Sequence, residues 1–174
     1  MMIKIIGACM IIASTTGAGM FISRQFSERP KQLRQLRSAL QSLEAEIMYG
    51  LTPVKEAASR LSGQLPKPLS LFFEKLAVKL SEEEEAVTLQ SAWKESLEAF
   101  WQQTALQKNE KEIMYQFGAT LGKHDSENER KQIRLALAHL EREENEARNA
   151  QSKYEKMAKS LGLLAGLLIV LLLL

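Results

Sequence analysis

Residues 31–50 read KQLRQLRSALQSLEAEIMYG, and the spacing of the apolar side chains in this stretch decides the fold class. The apolar residues follow one another at intervals of three and four: Leu33, Leu36, Leu40, Leu43 and Ile47. Such spacing places them on one face of an α-helix. Pro30 suits the first turn of a helix, and Gly50 is a good C-terminal cap. The stretch therefore predicts an amphipathic helix that begins after Pro30 and ends at Gly50.

Downstream of this helix the apolar positions keep the same spacing, and no stretch alternates with the period of two that is typical of a strand. Pro53 opens a short second helix that ends at Ser62-Gly63. Apolar residues predict three further helices, around residues 69–80, 89–101 and 113–121. The sequence therefore predicts an all-α fold, a helical bundle of about six helices once the last helix is included.

The last helix is predicted to be long. Ser126 and Glu129 form a Ser-x-x-Glu capping box, and no Pro or Gly follows before Gly162. Glu144 and Gln151 occupy heptad positions where a packed helix has apolar residues. We therefore expect the start of this helix to pack on the bundle and its later part to be solvated.

Two uncharged segments flank the bundle. All 21 acidic residues lie between Glu28 and Glu155, whereas residues 5–23 carry no charged side chain and residues 161–174 consist of Leu, Ile, Val, Gly and Ala. The first segment has about the 20 residues that a membrane-spanning helix needs. The second is shorter, and a buried core helix or a re-entrant tip is the alternative. Ala158, Gly162 and Gly166 recur every four residues, which favours close helix packing in a membrane.

Basic residues beside these segments predict their orientation. Lys and Arg follow the first segment and precede the second: Arg24, Arg29, Lys31, Arg34, Arg37, Arg148, Lys153, Lys156 and Lys159. Because such flanks stay cytoplasmic, the middle of the chain is expected in the cytoplasm. A cleaved signal peptide would carry its positive charge before the apolar run. The predicted parts are an N-terminal transmembrane anchor (1–23), a cytoplasmic helical domain (24–156) and a C-terminal transmembrane helix (157–174).

The sequence offers no persuasive catalytic or cofactor site. His124 and His139 are the only histidines, Cys9 is the only cysteine, and the HExxH, GxSxG and Gly-rich phosphate motifs are absent. A solvated helix start explains the run Glu82 to Glu85 better than a cation site, which needs converging oxygens. The net charge of +2 gives no reason to expect nucleic acid. We expect no cofactor, no metal and no enzymatic activity.

Residues 28–53 carry a family resemblance. ERPKQLRQLR at 28–37 and ALQSLEAEIMYGLTP at 39–53 resemble the stage III sporulation protein AB family of endospore-forming bacteria. More remotely, the region is similar to the cytoplasmic domain of type II secretion platform protein F. In that family a helix ends at Gly and leads through Pro into a second helix, as Gly50 and Pro53 do here. The platform protein is longer and has two related domains.

The resemblance implies a non-enzymatic platform subunit in the mother-cell membrane, within a channel complex that links mother cell and forespore. Implied partners are a cytoplasmic secretion-type ATPase of the same complex, other membrane channel subunits, a second copy of the chain and the lipid bilayer, with no nucleic acid. Charges in the most distinctive stretch are the candidate partner contacts: Arg34, Arg37, Glu44 and Glu46. The alternatives are a membrane-anchored signalling or adaptor protein and a membrane-associated enzyme that uses the glutamate run.

Overall fold

Six α-helices make up the fold. The computed structural model describes residues 2–82, 88–122 and 126–173, and it describes only the backbone for most of residues 2–26, for Ser126 and for much of 155–173. In these ranges the helices are α1 (Met2–Met48), α2 (Val54–Gln64), α3 (Leu69–Lys79), α4 (Leu89–Trp101), α5 (Lys108–Thr120) and α6 (Ser126–Leu173). No described residue lies in a strand. The all-α prediction is confirmed, and the segments predicted as flanking helices are continuous with α1 and α6.

Helix α1 passes through Pro30, so the prediction that a helix begins after this proline is wrong. An interior proline removes one backbone hydrogen bond and crowds the preceding turn, at a cost of about 3 kcal/mol. Pro30 is itself buried, and the helix extends for several turns on both sides of it. Packing of the proline ring and the many intact hydrogen bonds of α1 offset the single lost bond.

The chain divides into two compact units. The central unit is Lys31–Glu144, and the terminal unit consists of Met1–Pro30 and Asn145–Leu174. Helices α1 and α6 are each divided between the two units, whereas α2 to α5 belong to the central unit alone. The domain boundaries expected from the sequence, at residues 24 and 156, stay predictions.

The core of the central unit is built from the leucine stripe of α1 and a chain of aromatic rings. Leu33, Leu36, Leu40 and Leu43 are fully buried, as their spacing predicts. Helix α2 packs on α3, α3 on α4 and α4 on α5. The rings meet edge to face: the Phe72 and Trp93 centroids are 5.0 Å apart, and those of Trp93 and Phe117 are 5.3 Å apart. Such burial, at roughly 1.5–3 kcal/mol per large apolar side chain, is the main stabilising contribution.

Local hydrogen bonds and backbone geometry fix the start of α4 and the residues that follow α5. Thr88 Oγ1 accepts from the Ser91 amide at 3.1 Å at the start of α4. Gly122, which follows α5, adopts a positive φ of 75°, so glycine is suited to that position. The Glu129 carboxylate accepts from the Gly122 amide at 2.6 Å. The Ser126 side chain of the predicted capping box lies outside the described residues.

The predicted transmembrane helices are not confirmed. Among the residues that the structure describes, no helix contains a segment with the length and apolarity that crossing a membrane requires. Only the backbone is described for Ala158, Gly162 and Gly166, and His124 and Glu83 to Glu85 lie outside the described residues. Close packing at the small residues and the solvated reading of the glutamate run therefore stay predictions.

Candidate functional site

A cluster of charged side chains joins α1 to α6 inside the central unit. Arg37 Nη1 donates to Glu144 Oε2 at 2.7 Å, and Arg37 Nη2 lies 3.3 Å from Glu141 Oε2. Arg34 Nε donates to Glu144 Oε1 at 3.3 Å. Both oxygens of Glu144 thus accept from arginines of α1. The cluster fastens two helix segments that are more than one hundred residues apart in sequence.

Burial of Glu144 corrects the expectation that this position is solvated. Its side chain is only 4% exposed, although a lone buried carboxylate would be strongly unfavourable. Two guanidinium groups supply charge-assisted hydrogen bonds to it, which compensate for the lost hydration. On α1, Arg34 and Arg37 are three residues apart, and on α6 Glu141 and Glu144 are also three residues apart. Each pair therefore lies on one helix face, and the two faces meet. The heptad pattern predicted an interruption of packing at Glu144 and did not predict its pairing with Arg34 and Arg37.

Two of the predicted partner contacts are therefore already engaged within the chain. Arg37 is 23% exposed and its guanidinium is committed to Glu141 and Glu144, whereas Arg34 is 63% exposed and keeps most of its surface free of the bundle. Of this pair, only Arg34 retains the exposure that a partner contact requires.

The link between α1 and α2 is held by Glu46, a third predicted contact. Its carboxylate accepts from Thr52 Oγ1 and from Arg60 Nη1, both at 3.0 Å, and its backbone carbonyl accepts from the Thr52 amide at 3.0 Å. A Cβ at Gly50 would stand 2.7 Å from the Glu46 carbonyl oxygen, so only glycine fits there. Glu46 is therefore a structural residue of the turn. The fourth predicted contact, Glu44, is half-buried and forms no ion pair among the described residues.

Two large apolar side chains project from this link. Leu51 is 84% exposed and has a φ of 48°, in the left-handed region. Tyr49 is 71% exposed; its hydroxyl accepts from Arg130 Nη2 at 2.7 Å, and the Arg130 guanidinium carbon lies 5.8 Å from the ring centroid. Sequence analysis predicted Gly50 as the C-terminal cap of the helix and missed this feature. The signal available was a leucine between the glycine and the buried Thr52, a place where polar residues are usual.

An open cleft of about 550 Å³ lies between α4 and α5. Trp93 and Gly118 border its apolar side, and Glu98 hydrogen-bonds to Tyr115 and pairs with Lys111 at 2.7 Å on its polar side. The described lining contains no histidine, cysteine or serine that a nucleophilic mechanism would use. The cleft is an open surface groove in which Lys111 neutralises the charge of Glu98.

No metal centre emerges from the described part of the chain. In residues 2–82, 88–122 and 126–173, no three His, Cys, Asp or Glu side chains converge as a metal ion would require. His139, the histidine that the structure describes, is exposed on α6. The two distinctive features are thus the ion cluster and the projecting α1–α2 link. Both are typical of a protein that binds other macromolecules.

Comparison with known proteins gives the chain its family. A family model described as stage III sporulation protein AB matches residues 4–174. A relative of that name from Bacillus subtilis (strain 168) is 48% identical over 172 residues, which is 99% of this chain and 99% of the relative. A solved structure of stage III sporulation protein AB (SpoIIIAB) is 46% identical with a TM-score of 0.68, covering 72% of this chain and 98% of its own. The chain belongs to the stage III sporulation protein AB family, and its role is in sporulation.

Proposed function

We propose that this chain is a membrane-anchored, non-enzymatic platform subunit of a secretion-like channel complex between mother cell and forespore. The observation that carries the membrane part is an exposed apolar stripe on α6. Its members recur at intervals of three and four residues, and each is 44–61% exposed: Tyr154, Met157, Leu161, Leu164 and Leu168. A continuous exposed stripe of this kind is typical of a surface that contacts lipid or another protein.

Further support for a membrane comes from the segments that lack charge at the two ends of the chain. Residues 5–23 and 161–174 carry no charged side chain, and residues 5–23 and 161–173 lie in helices. A helical backbone satisfies its own hydrogen bonds and is suited to the bilayer core. Basic residues follow the first segment and precede the second, so the central unit belongs in the cytoplasm. Helix packing through Ala158, Gly162 and Gly166 is part of this proposal.

The platform part of the proposal rests on the similarity of residues 28–53 to secretion platform protein F. In the structure, α1 ends near Gly50 and Pro53 precedes α2, which is the helix arrangement that the resemblance describes. By analogy the central unit engages a cytoplasmic secretion-type ATPase and other membrane subunits of the complex. Rigid helices with a projecting link and no evident reaction centre in the described residues are consistent with such a role.

Fractionation of sporulating cells tests the membrane part. We expect the full chain to remain in the membrane pellet after an alkaline carbonate wash. The double variant Leu164→Glu with Leu168→Glu should shift it towards the wash, because each carboxylate at the bilayer centre costs about 2.5–3.5 kcal/mol. Asn149→Glu with Ser152→Glu is the matched control, since it adds the same charge to exposed positions of α6 outside the stripe. Recovery of the intact chain in the wash would contradict anchoring.

Isolation of the complex tests the platform part. The full chain, tagged and crosslinked in sporulating cells, is expected to co-purify with a secretion-type ATPase and with membrane channel subunits. A chain that stays in the membrane but brings down neither class of protein would reject the platform while leaving the anchor intact.

A further inference from the structure

The side chain of Leu51 has no structural role in the link that it occupies. Its three neighbours each have one: Gly50 permits close approach of the Glu46 carbonyl, Thr52 is buried and hydrogen-bonded, and Pro53 precedes α2. Leu51 is 84% exposed and its backbone has a φ of 48°. For a residue other than glycine or asparagine this conformation costs about 1 kcal/mol. An exposed leucine held there, at a cost to stability, requires a reason outside the fold.

Tyr49 and Arg130 complete the same surface. The Arg130 guanidinium lies over the Tyr49 ring and donates to its hydroxyl, which fixes the exposed ring in place. Arg130 has no carboxylate partner among the described residues, and its Nε is buried without an acceptor. We call Tyr49, Leu51 and Arg130 the α1–α2 knob. It combines two apolar groups with one cation.

The knob lies at the end of the central unit that is remote from its two connections to the terminal unit. Leu51 is separated from Lys31 by 20 residues, most of them in α1, which corresponds to about 27 Å of helix. Arg130 is likewise about 21 Å along α6 from Glu144. The proposed function puts the central unit in the cytoplasm, so a surface at this end of the unit is accessible to a cytoplasmic partner.

We propose that the α1–α2 knob docks into a cytoplasmic protein that presents an apolar cavity with a carboxylate at its edge. The cavity receives Leu51 and the Tyr49 ring, and the carboxylate pairs with Arg130. Tyrosine and arginine are frequent sources of binding energy in interfaces. The bonds of Glu46 to Thr52 and Arg60 fix the link before binding, so little conformational entropy is lost. The cytoplasmic position of the partner rests on the proposed function.

Replacement of Leu51 by glycine separates binding from folding. Leu51→Gly removes the side chain and relieves the left-handed strain, so the melting temperature of the full chain should not fall. The number of heat-resistant spores, with the variant as the only copy in its own organism, should fall at least tenfold. Leu135→Gln is the matched control, because Leu135 is 53% exposed on α6 outside the knob, and it should leave spore numbers unchanged. Normal spore numbers with Leu51→Gly would overturn the proposal.

A photoreactive benzoylphenylalanine at position 51 of the full chain identifies the occupant. In sporulating cells we expect an adduct with a different protein, at a crosslinked segment that has apolar residues beside Asp or Glu, and a loss of that adduct in Arg130→Glu. An adduct with a second copy of the chain, or with lipid, would overturn the assigned partner. Fractionation distinguishes the two proposals: a membrane-bound chain without the adduct refutes the knob alone, and a chain outside the membrane refutes the anchor alone.

Discussion

Arg37 on α1 donates a hydrogen bond to Glu144 on α6 at 2.7 Å, across 107 residues of sequence. A second polar contact joins Arg130 of α6 to Tyr49, the residue that follows α1. Arg130 precedes Glu144 along the chain, whereas Tyr49 comes after Arg37. The opposite order of the two contacts means that the helix segments run antiparallel and are fastened at both ends. The pair encloses α2 to α5 in sequence, so its contacts close the central unit.

Loss of Arg37 should destabilise the chain strongly. Arg37→Ala removes the shorter of the two arginine contacts that Glu144 accepts, and a hydrogen bond to a buried charged group contributes about 1.5–3 kcal/mol. We expect the free energy of unfolding of the full chain, measured by urea titration, to fall by about 2 kcal/mol. Glu144→Ala and the double variant Arg37→Ala with Glu144→Ala complete a double-mutant cycle, and additive losses of stability would argue against a direct pairing.

Arg34→Ala is the matched comparison for the same cluster. The Arg34 side chain is 63% exposed and its contact with Glu144 is longer, at 3.3 Å, so its removal should cost less than about 1 kcal/mol. An equal cost for both arginines would contradict the geometry. Arg37 stabilises the fold, so the charge reversal Arg37→Glu would change stability as well as binding. Partner binding is better tested with Arg34→Glu.

Gly118 is required by the aromatic core. A Cβ at this position would overlap the indole ring of Trp93, whose Nε1 donates to the Met114 carbonyl at 2.9 Å and cannot shift freely. Gly118→Ala should therefore lower the free energy of unfolding by about 1–3 kcal/mol. Gly63→Ala is the control: no packed atom lies within 4 Å of the point where a Cβ would stand at this position of α2, and the change should stabilise by about 0.5–1 kcal/mol.

Sequence periodicity was sufficient to predict the helices and most of the core. The leucines at 33, 36, 40 and 43 are buried as predicted, and Pro53 precedes α2 as predicted. These features depend on local spacing and on turn chemistry, which a single sequence displays. The spacing did not predict that α1 continues through Pro30, because the cost of the proline is offset by packing and hydrogen bonds along the whole of α1.

The candidate site was less predictable because it depends on long-range contacts. The family resemblance of residues 28–53 drew attention to Arg34, Arg37 and Glu46, but it gave no indication that Glu144 and Arg60 would pair with them. The knob was missed because a left-handed backbone at the end of a helix is usual for glycine, and no local rule predicts it at the following leucine.

Ser96 is a core residue whose substitution should stabilise the fold. Its side chain is fully buried on α4, and its hydroxyl has no hydrogen-bond partner among the described residues. An unsatisfied buried hydroxyl is unfavourable, so Ser96→Ala should raise the free energy of unfolding by about 1 kcal/mol. Thr88→Ala at the start of the same helix removes a bonded N-cap and should lower it by about 1 kcal/mol. A loss of stability with Ser96→Ala would indicate that the hydroxyl is bonded.

Glu95 is expected to titrate below its ordinary range. The hydrogen bond from Lys79 Nζ, 2.6 Å from Glu95 Oε2, lowers the pKa of this carboxyl below 4.5, with smaller contributions from the charges of Lys79 and Lys75. Because the pKa is lower in the folded state, the pair stabilises the fold above the unfolded-state pKa, and this contribution is lost as the pH falls through the folded-state value. The expected window is therefore below pH 4.5.

Carbon-detected NMR titration of the Glu95 carboxyl measures this pKa directly. Lys79→Met should return the pKa towards 4.5, and Lys75→Met should change it less, in the order of the two contributions. High salt should also reduce the shift, because the Glu95 side chain is 60% exposed and ions screen the pair. An unchanged pKa in Lys79→Met would show that the ion pair between α3 and α4 does not persist in solution.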